Sequence, residues 1–521
     1  TIDRHRVVRM VLLAGLVLVL GPGGVFACLA SDDAGTRVVQ SPSAVEVGIV
    51  EARDADWWLP GPAKSSGYGQ SVASAGNVDG HNGDDILVGA PKYGTDQGEG
   101  TVFLYLSTGG DVADIPIWEA SPGMGGALFG SSVAGAGDVD ADGYDDAIIG
   151  APDYKTVLMT NDGFKEVKAG GAFVYLGDPG LGLESDPIWS YAGEVQDGKF
   201  GDVVGGAGDV NGGGVDDVVV GARWYTDQPD TDPNKHSGAI YVFYGHEVSG
   251  PSEDPDWFIS CPQAGAWFGA SVSAAGDVNH DGYSDLLVGA PGYLNPDTGL
   301  PEGAALLFLG GDTPPDDVGD AAWIAYGGQE DSDFGTAVAR AGDVNGDGHP
   351  DVVVSAPGYR RPSDDALVGA VFAYCGNGAE FGTEPCWMVT GGQPGAQFGA
   401  SVAGAGDVNG DGFDELIVGA PAYQWNPDNG FEGLVSIYFG SEVGLSAWAG
   451  WKAGGDKSET RFGESVDLTG PVVGDTASVI VGAPRYFDVT DPYGAAFLFY
   501  GPLEPGGLYR AYLPLVMSNA N

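Results

Sequence analysis

The sequence predicts an all-β fold, a seven-bladed β-propeller of four-stranded blades, and three observations support this prediction. One sequence unit recurs seven times at intervals of 61 to 71 residues. The first six units each hold four short segments rich in small and β-branched residues, which is typical of strands. The last unit lacks its fourth segment, and an extra strand-like segment precedes the first unit. A ring that closes with this extra strand accounts for all three.

Each unit begins with an aromatic residue and a glycine. The seven pairs are Tyr68-Gly69, Phe129-Gly130, Phe200-Gly201, Phe268-Gly269, Phe334-Gly335, Phe398-Gly399 and Phe462-Gly463. A Gly-Ala-Pro element or a near variant follows later in each unit, as at Gly89 to Pro91. A single four-stranded sheet cannot bury both of its faces, so we expect the seven sheets to stack around a central channel.

The strands and the closure of the ring can be placed from the repeat. The predicted strands of the first unit cover residues 70–77, 85–90, 100–106 and 115–120. A tryptophan marks the fourth strand of six units, at Trp118, Trp189, Trp257, Trp323, Trp387 and Trp448. The seventh unit ends after the strand over 495–500, and Trp57 and Trp58 lie in the strand before the first unit. We therefore expect the N-terminal strand to complete blade seven, which removes the open edges.

The composition favours cations as binding partners. The formal net charge of the 521 residues is −52, from 73 acidic and 21 basic side chains. Such a charge repels nucleic acid and anionic lipid surfaces. An acidic surface adapted to salt is the alternative explanation.

The chain divides into four segments. Residues 1–30 resemble an export signal, because arginines precede an apolar run, and the run Val25-Phe26-Ala27-Cys28 resembles a bacterial lipobox. A lipid anchor at Cys28 is thus an alternative to simple cleavage. Residues 31–55 are predicted as a linker, 56–501 as the propeller and 502–521 as a C-terminal tail. Either outcome at Cys28 places the protein outside the cytoplasm, so we expect a secreted or cell-surface protein. No later stretch reaches the roughly 20 apolar residues of a membrane helix.

Two of the four cysteines are spaced for a disulfide. Cys375 ends one predicted strand and Cys386 opens the next, across a Gly-rich turn. This arrangement suits a disulfide in an oxidising compartment, with two buried thiols as the alternative.

An acidic loop joins the first two strands of most units and carries the clearest chemical signal. Oxygen ligands stand at alternate positions, and a final carboxylate follows four residues after the third. The side-chain ligands of the four clearest loops are Asp138, Asp140, Asp142 and Asp146; Asp277, Asn279, Asp281 and Asp285; Asp343, Asn345, Asp347 and Asp351; and Asp407, Asn409, Asp411 and Glu415. Backbone carbonyls of Tyr144, Tyr283, His349 and Phe413 are expected to add one ligand each. Ca²⁺ takes roughly six to eight oxygens, so we predict about four Ca²⁺ sites.

These loops differ from EF-hands and vary between blades. An EF-hand needs a glutamate at its twelfth position, whereas the twelfth residues here are Ile149, Val288, Val354 and Val418, inside the second strand. The alternative is that the loops are only good turns. Weaker candidates, which would raise the count to six, are Asn77, Asp79 and Asp85 in blade one and Asp209, Asn211 and Asp217 in blade three. Blade seven has Asp467 followed by Thr469 and Pro471 and is expected to bind nothing.

The aromatic-Gly opening, the Gly-Ala-Pro element and the Asp-Val-Asn-Gly-Asp-Gly loop together resemble the FG-GAP repeats of the integrin α-subunit head, over residues 56 to 501. The resemblance implies that the acidic loops bind calcium on the lower face and that the upper face contacts protein ligands. No inserted domain follows blade two and no leg domains follow blade seven, so a stand-alone prokaryotic surface propeller is expected.

The loops after the second strands would then lie on the upper face. Two of them carry Lys155, Lys165, Lys168 and Trp224. Because loops on a rigid scaffold commonly carry recognition, we predict a partner-binding patch there, with solvated insertions as the alternative.

These features predict a calcium-binding propeller that acts as an interaction or adhesion module for an extracellular protein or glycan. A polysaccharide hydrolase or lyase on a propeller scaffold and a passive structural envelope protein are the alternatives. Serines follow the aromatic-Gly pair in five units, whereas a nucleophile should be singular, so no catalytic centre and no enzymatic activity are predicted.

Overall fold

The computed structural model is a seven-bladed β-propeller. It describes residues 10–13, 16–21, 24–30, 49–81, 83–94, 98–108, 111–160, 163–227, 235–378, 381–425, 430–472, 476–488 and 491–503. Most of the predicted linker and of the predicted C-terminal tail lies outside the described residues, so these boundaries stay predictions. Cleavage or lipidation at Cys28 also stays a prediction.

Each blade is an antiparallel sheet whose four strands follow one another outward from the channel. The innermost strands are Ser71–Gly76, Ser132–Gly137, Val203–Gly208, Ser271–Gly276, Val338–Gly342, Ser401–Gly406 and Ser465–Thr469. The second strands are Asp85–Ala90, Asp146–Ala151, Asp217–Ala222, Asp285–Ala290, Asp351–Ala356, Glu415–Ala420 and Ser478–Ala483. The third strands are Thr101–Tyr105, Gly171–Tyr175, Ala239–Phe243, Ala304–Phe308, Ala370–Tyr374, Leu434–Tyr438 and Ala495–Phe499. The outermost strands are Trp118–Ala120, Trp189–Ala192, Trp257–Ser260, Trp323–Tyr326, Trp387–Thr390, Trp451–Gly454 and Trp57–Pro60.

Short additional elements decorate this ring. Hairpins are formed by Lys155–Thr160 with Gly163–Lys168, Gly177–Asp178 with Gly182–Leu183, Arg360–Arg361 with Ala366–Leu367, and Phe487–Asp488 with Asp491–Pro492. The 3₁₀ helices are Ala52–Asp54 and Val318–Asp320, and a separate sheet contains Met10–Leu13, Leu16–Gly21 and Gly24–Ala30. None of the helices in the described part of the chain is long and apolar enough to cross a membrane.

The hydrophobic core lies between blades. Among the described residues the buried apolar side chains form seven clusters, and each cluster joins two neighbouring blades, including blade seven with blade one. The second and third strands are buried along their whole length in every blade. Both of their faces are covered by adjacent blades, which explains their continuous Val, Ile, Leu and Ala sequences.

The repeated glycines lie where the backbones of two blades touch. Gly130 of blade two has a φ of +81°, and a Cβ there would meet the Val102 side chain of blade one at 2.7 Å. A Cβ on Gly89, in the Gly-Ala-Pro element of blade one, would overlap the carbonyl oxygen of Gly130. The aromatic-Gly and Gly-Ala-Pro elements therefore recur because they form the two sides of each contact between blades.

The predicted closure of the ring is confirmed. Trp57–Pro60 pairs antiparallel with Ala495–Phe499 and supplies the outermost strand of blade seven. The Trp57 ring packs edge-on against Tyr105 of blade one at 5.3 Å. One strand from the N-terminus thus completes the last blade and seals its contact with the first.

Two details differ from the sequence prediction. The outermost strand of blade six carries Trp451, whereas the predicted Trp448 lies in the preceding turn and is exposed. The chain also joins the ring earlier than predicted, because Val50–Glu51 adds a short parallel strand outside Trp451–Gly454. Trp448 lies near the expected strand in the sequence. Only Trp451 pairs with the third strand, where it lies opposite Ile437.

Candidate metal sites

The acidic loops start from an irregularity in the innermost strand. In six blades the pairing between the first two strands shifts at the last glycine, as between Gly135 and Gly137 of blade two. Blade seven pairs without such a shift. The bulge directs the following residues into a tight loop, and it is missing where the ligand pattern is also missing.

Blade two brings three predicted ligands together. Oxygens of Asp138, Asp140 and Asp146 lie within 4.8 Å of one another. Asp140 is only 7% exposed, and its Oδ1 accepts no hydrogen bond from the described residues. A buried carboxylate oxygen without a donor is costly unless a cation satisfies it. Three oxygens that converge around such an atom fit a Ca²⁺ ion by number, charge and hardness.

The final carboxylate of each loop is fixed by backbone groups. Asp146 Oδ2 accepts from the Val139 N–H at 2.8 Å, and its Oδ1 accepts from the Gly177 N–H at 2.8 Å. The same pair of bonds recurs at Asp85, Asp217, Asp285, Asp351 and Glu415. These carboxylates are therefore positioned in all six blades before any ion arrives.

Burial strongly disfavours the charge of these same groups. It raises the pKa of Asp146 and that of Glu415 to about 8. It raises the pKa to about 7 at Asp85, Asp217, Asp285 and Asp351. The neighbouring loop carboxylates raise these pKa values further, although the backbone N–H donors oppose the shift.

The predicted first ligand of each loop organises the turn. Asp138 accepts from the Asp142 N–H at 3.0 Å and from the Gly143 N–H at 2.9 Å. Asp277, Asp343 and Asp407 make the equivalent bonds in blades four, five and six. The third ligand of blade two, Asp142, accepts from the Tyr144 N–H at 2.9 Å, and its counterparts Asp281, Asp347 and Asp411 do the same. One oxygen of each third carboxylate is thus engaged within the loop.

The predicted asparagine ligands of blades four to six adopt a related arrangement. The side-chain oxygens of Asn279, Asn345 and Asn409 accept from the backbone N–H two residues later. The amide nitrogens of Asn279 and Asn409 donate to Asp281 and Asp411 at 2.8 and 3.0 Å. The predicted ligands of each loop therefore lie close together and share hydrogen bonds.

The two weaker loops are internally paired. In blade one, His81 Nδ1 lies 2.9 Å from Asp79 Oδ2, so the imidazole already contacts the carboxylate that is the predicted second ligand. In blade three, the Asn211 amide donates to both oxygens of Asp217, at 3.2 and 3.3 Å. In blade seven, Asp467 instead accepts from the Ser74 N–H of blade one.

Sequence reasoning missed a second set of carboxylates, one residue before the final ligand. Asp216 of blade three accepts from the Asp138 N–H of blade two at 3.1 Å, while its own N–H donates to the Asp138 carbonyl at 3.1 Å. Asp145 and Asp414 form the same two-point clamp on Asn77 and Asp343 of the preceding blades. The sequence feature that could have revealed these carboxylates is the Asp-Asp or Asp-Glu pair at the start of each of these second strands. Each clamp holds the first ligand of one blade through the next blade.

The predicted patch on the opposite face forms a continuous surface. The hairpin of Lys155–Thr160 and Gly163–Lys168 exposes Val157, Met159 and Phe164, and the last two lie opposite each other in the pairing. Lys168 pairs with Asp153 at 2.7 Å, and Lys199 also pairs with Asp153.

Lys199 extends this surface to blade three. Its Nζ lies 5.2 Å from the centre of the Trp224 ring. Trp224 in turn packs against His236 at 5.2 Å. Successive side-chain contacts thus join the two predicted loops, and they run through Lys168, Asp153, Lys199 and Trp224. The sequence analysis did not predict Lys199.

The remaining predicted positions have structural contacts. Cys375 and Cys386 form a disulfide with a Cα–Cα distance of 5.8 Å. Four recurring serines, Ser71, Ser271, Ser401 and Ser465, donate to the carbonyl of the aromatic-Gly glycine in the next blade. Their hydroxyl groups are thus part of the contacts between blades.

Comparison with known proteins agrees with this geometry. A family model described as FG-GAP repeat matches residues 129–175, 268–302, 334–374 and 398–438, which contain the four clearest acidic loops. The chain is 32% identical over 185 residues to integrin alpha-6 of Homo sapiens, covering 36% of this chain and 15% of that protein. It is 39% identical over 162 residues to integrin alpha-IIb of Homo sapiens, covering 30% and 15%.

A third relative is not an integrin. The chain is 29% identical over 288 residues to phosphatidylinositol-glycan-specific phospholipase D of Bos taurus, covering 51% of this chain and 33% of that protein. The chain therefore spans a third or less of the length of these relatives.

Proposed function

Because the chain is a β-propeller of FG-GAP repeats homologous to integrin α subunits, we propose that it is a secreted or cell-surface calcium-binding interaction module. Ca²⁺ binds in the acidic loops of blades two, four, five and six and rigidifies one face. The opposite face recognises an extracellular protein or glycan. The observation that supports the calcium assignment is the convergence of Asp138, Asp140 and Asp146, where the buried Asp140 Oδ1 accepts no hydrogen bond from the part of the chain that the structure describes.

Calcium suits these loops better than a softer metal. All predicted ligands are carboxylate, amide or backbone oxygens, which hard cations prefer. The final carboxylates are buried, and their raised pKa values express the same need for a positive partner.

Calorimetric titration of the calcium-stripped full chain tests this assignment. We expect several bound ions and a clear rise in melting temperature with calcium. Asp140→Asn keeps the shape of the side chain but removes one charge, so it should weaken the blade-two site by at least about tenfold. Asp365→Asn, at an exposed position outside the loops, is the control. Absence of calcium binding would show that the loops are only turns, and equal calcium binding by both variants would show that Asp140 is not a calcium ligand.

The proposed recognition surface is the upper patch of blades two and three. Met159 and Phe164 are each 81% exposed at the tip of a hairpin that projects from the blade. Exposed apolar side chains beside lysines are typical of interaction sites, and they favour a protein partner over a glycan. The Lys199 and Asp153 contacts hold the two loops together, so the patch can bind as a unit.

Arrays of extracellular proteins and glycans, probed with the calcium-loaded full chain, test this surface. We expect ligands that are lost in the Met159→Ser/Phe164→Ser variant and weakened when Lys155, Lys165 and Lys168 are changed to Glu. Val443→Ser and Lys92→Glu, at exposed positions elsewhere, serve as matched controls. Ligands that survive both sets of patch substitutions would place recognition on another surface.

A further inference from the structure

Neighbouring acidic loops touch through one recurring contact. A glycine at the fourth loop position lies against the aromatic ring at the seventh loop position of the next blade. A Cβ on Gly80 would lie 2.6 Å from Tyr144, one on Gly212 would lie 2.6 Å from Tyr283, and one on Gly346 would lie 2.5 Å from Phe413. The ring of the next blade thus leaves room only for glycine.

Blades four and five replace both sides of this contact with histidine. His280 stands at the glycine position, with a left-handed φ of +60°, and His349 stands at the aromatic position. His280 Nε2 lies 2.7 Å from His349 Nδ1, and the ring centroids are 4.9 Å apart. A non-glycine residue in this conformation is strained because its Cβ crowds the backbone, so the exchange of glycine for histidine is locally unfavourable.

We propose that His280 and His349 form a binding site for a divalent transition metal that prefers imidazole, such as Cu²⁺ or Zn²⁺. Two nitrogens at about 2.0–2.1 Å from one ion, at tetrahedral or square-planar angles, lie about 2.9–3.4 Å apart. His280 is exposed and His349 is half-buried, so a small movement of the His280 ring reaches that separation. The ring that now donates moves its proton to its other nitrogen, and water completes the coordination.

Such an ion would connect two blades. It would bind between the loops of blades four and five, whereas each predicted Ca²⁺ lies within a single loop. Ca²⁺ prefers oxygen, so it does not compete for the two imidazoles. The inference goes beyond the proposed function and does not depend on calcium binding.

The test is a Cu²⁺ titration of the full chain in saturating calcium, followed by electron paramagnetic resonance. We expect one Cu²⁺ with two nitrogen ligands. Loss of a ligand should cost at least the 10- to 100-fold typical of outer-shell partners, so His280→Gly and His349→Phe should each weaken binding by about tenfold or more.

The double variant restores the Gly-Phe contact that already exists between Gly346 and Phe413, so we expect it to fold and to keep its calcium sites. His246→Gln removes one exposed histidine elsewhere and should change nothing. Cu²⁺ binding of wild-type strength in the double variant, or a spectrum with a single nitrogen ligand, would overturn the proposal.

Discussion

The buried carboxylate that ends each acidic loop has to be neutralised either by a proton or by a cation. Asp146 is fully buried and lies beside Asp138 and Asp140, and its two backbone donors supply only partial positive charge. Its pKa of about 8 places the exchange between proton and cation close to neutral pH. Asp146 is thus held rigidly in place while its negative charge is only partly neutralised. This is the state expected of a preformed cation ligand.

This residue predicts a pH dependence with opposite signs for stability and for calcium affinity. The folded pKa is raised above the unfolded value, so without calcium this contribution is fully present below about pH 4 and is lost as pH rises toward 8. Calcium needs the ionised form, so its affinity should rise over the same range. Urea unfolding of the calcium-free chain at several pH values measures the first effect, and calcium titration measures the second.

Asp146→Asn is the control for this prediction, because an amide does not titrate. It should reduce the pH slope of the unfolding free energy by up to about 1.4 kcal/mol per pH unit. An unchanged slope would mean that other carboxylates, driven by the overall negative charge, cause the dependence.

At the scale of loops and blades, each acidic loop is held partly by the neighbouring blade. The first ligand of blade two is clamped at two points by Asp216 of blade three, so a loop cannot move without disturbing the contact between the two blades. An ion bound in a loop therefore stabilises that contact as well as its own hairpin.

Substitution of Asp216 tests this coupling. Asp216→Ala leaves the Asp138 N–H without its side-chain acceptor, so we expect a loss of about 1–3 kcal/mol in unfolding free energy and weaker calcium binding in blade two. Asp216→Asn keeps an acceptor oxygen and should lose much less. Chemical denaturation and calcium titration compare the two variants, and equal effects of Ala and Asn would argue against the hydrogen bond.

The features that recur in every repeat could be predicted from the sequence, whereas the side-chain contacts between neighbouring repeats could not. The blades, the acidic loops and the positions of the predicted ligands follow from motifs that recur seven or four times. The Asp216 clamp and the pair of His280 and His349 depend on contacts 69 to 78 residues apart, which the pattern within one unit does not contain. The sequence places a tryptophan near that strand at both 448 and 451, and only the pairing of Trp451 opposite Ile437 fixes the register.

At the scale of the whole molecule, closure of the ring stabilises the propeller, and the proposed calcium ions would stabilise the same structure in a different way. The apolar clusters between blades form a closed cycle, so each blade depends on two neighbours. An ion held at 100 times its dissociation constant adds about 2.7 kcal/mol, and this is lost when calcium is removed. The contact between blades seven and one also joins the first and the last strands of the propeller.

Trp57 is a large side chain in the apolar cluster between blades seven and one. It is 4% exposed and packs against Tyr105 of blade one, whereas Trp58, the next residue on the same strand, is 38% exposed and stacks on Phe497 within blade seven. We expect Trp57→Ala to cost about 3–5 kcal/mol, as large-to-small changes in cores do, and Trp58→Ala to cost much less.

Hydrogen exchange locates the effect of these substitutions. Trp57→Ala should increase exchange in Thr101–Tyr105 of blade one as well as in Ala495–Phe499 of blade seven, because the cavity opens both sides of the contact. Trp58→Ala should change blade seven alone. If the two variants lose equal stability and exchange in the same segments, closure does not depend on the packing between blades, and strand pairing with Trp57–Pro60 alone holds the ring.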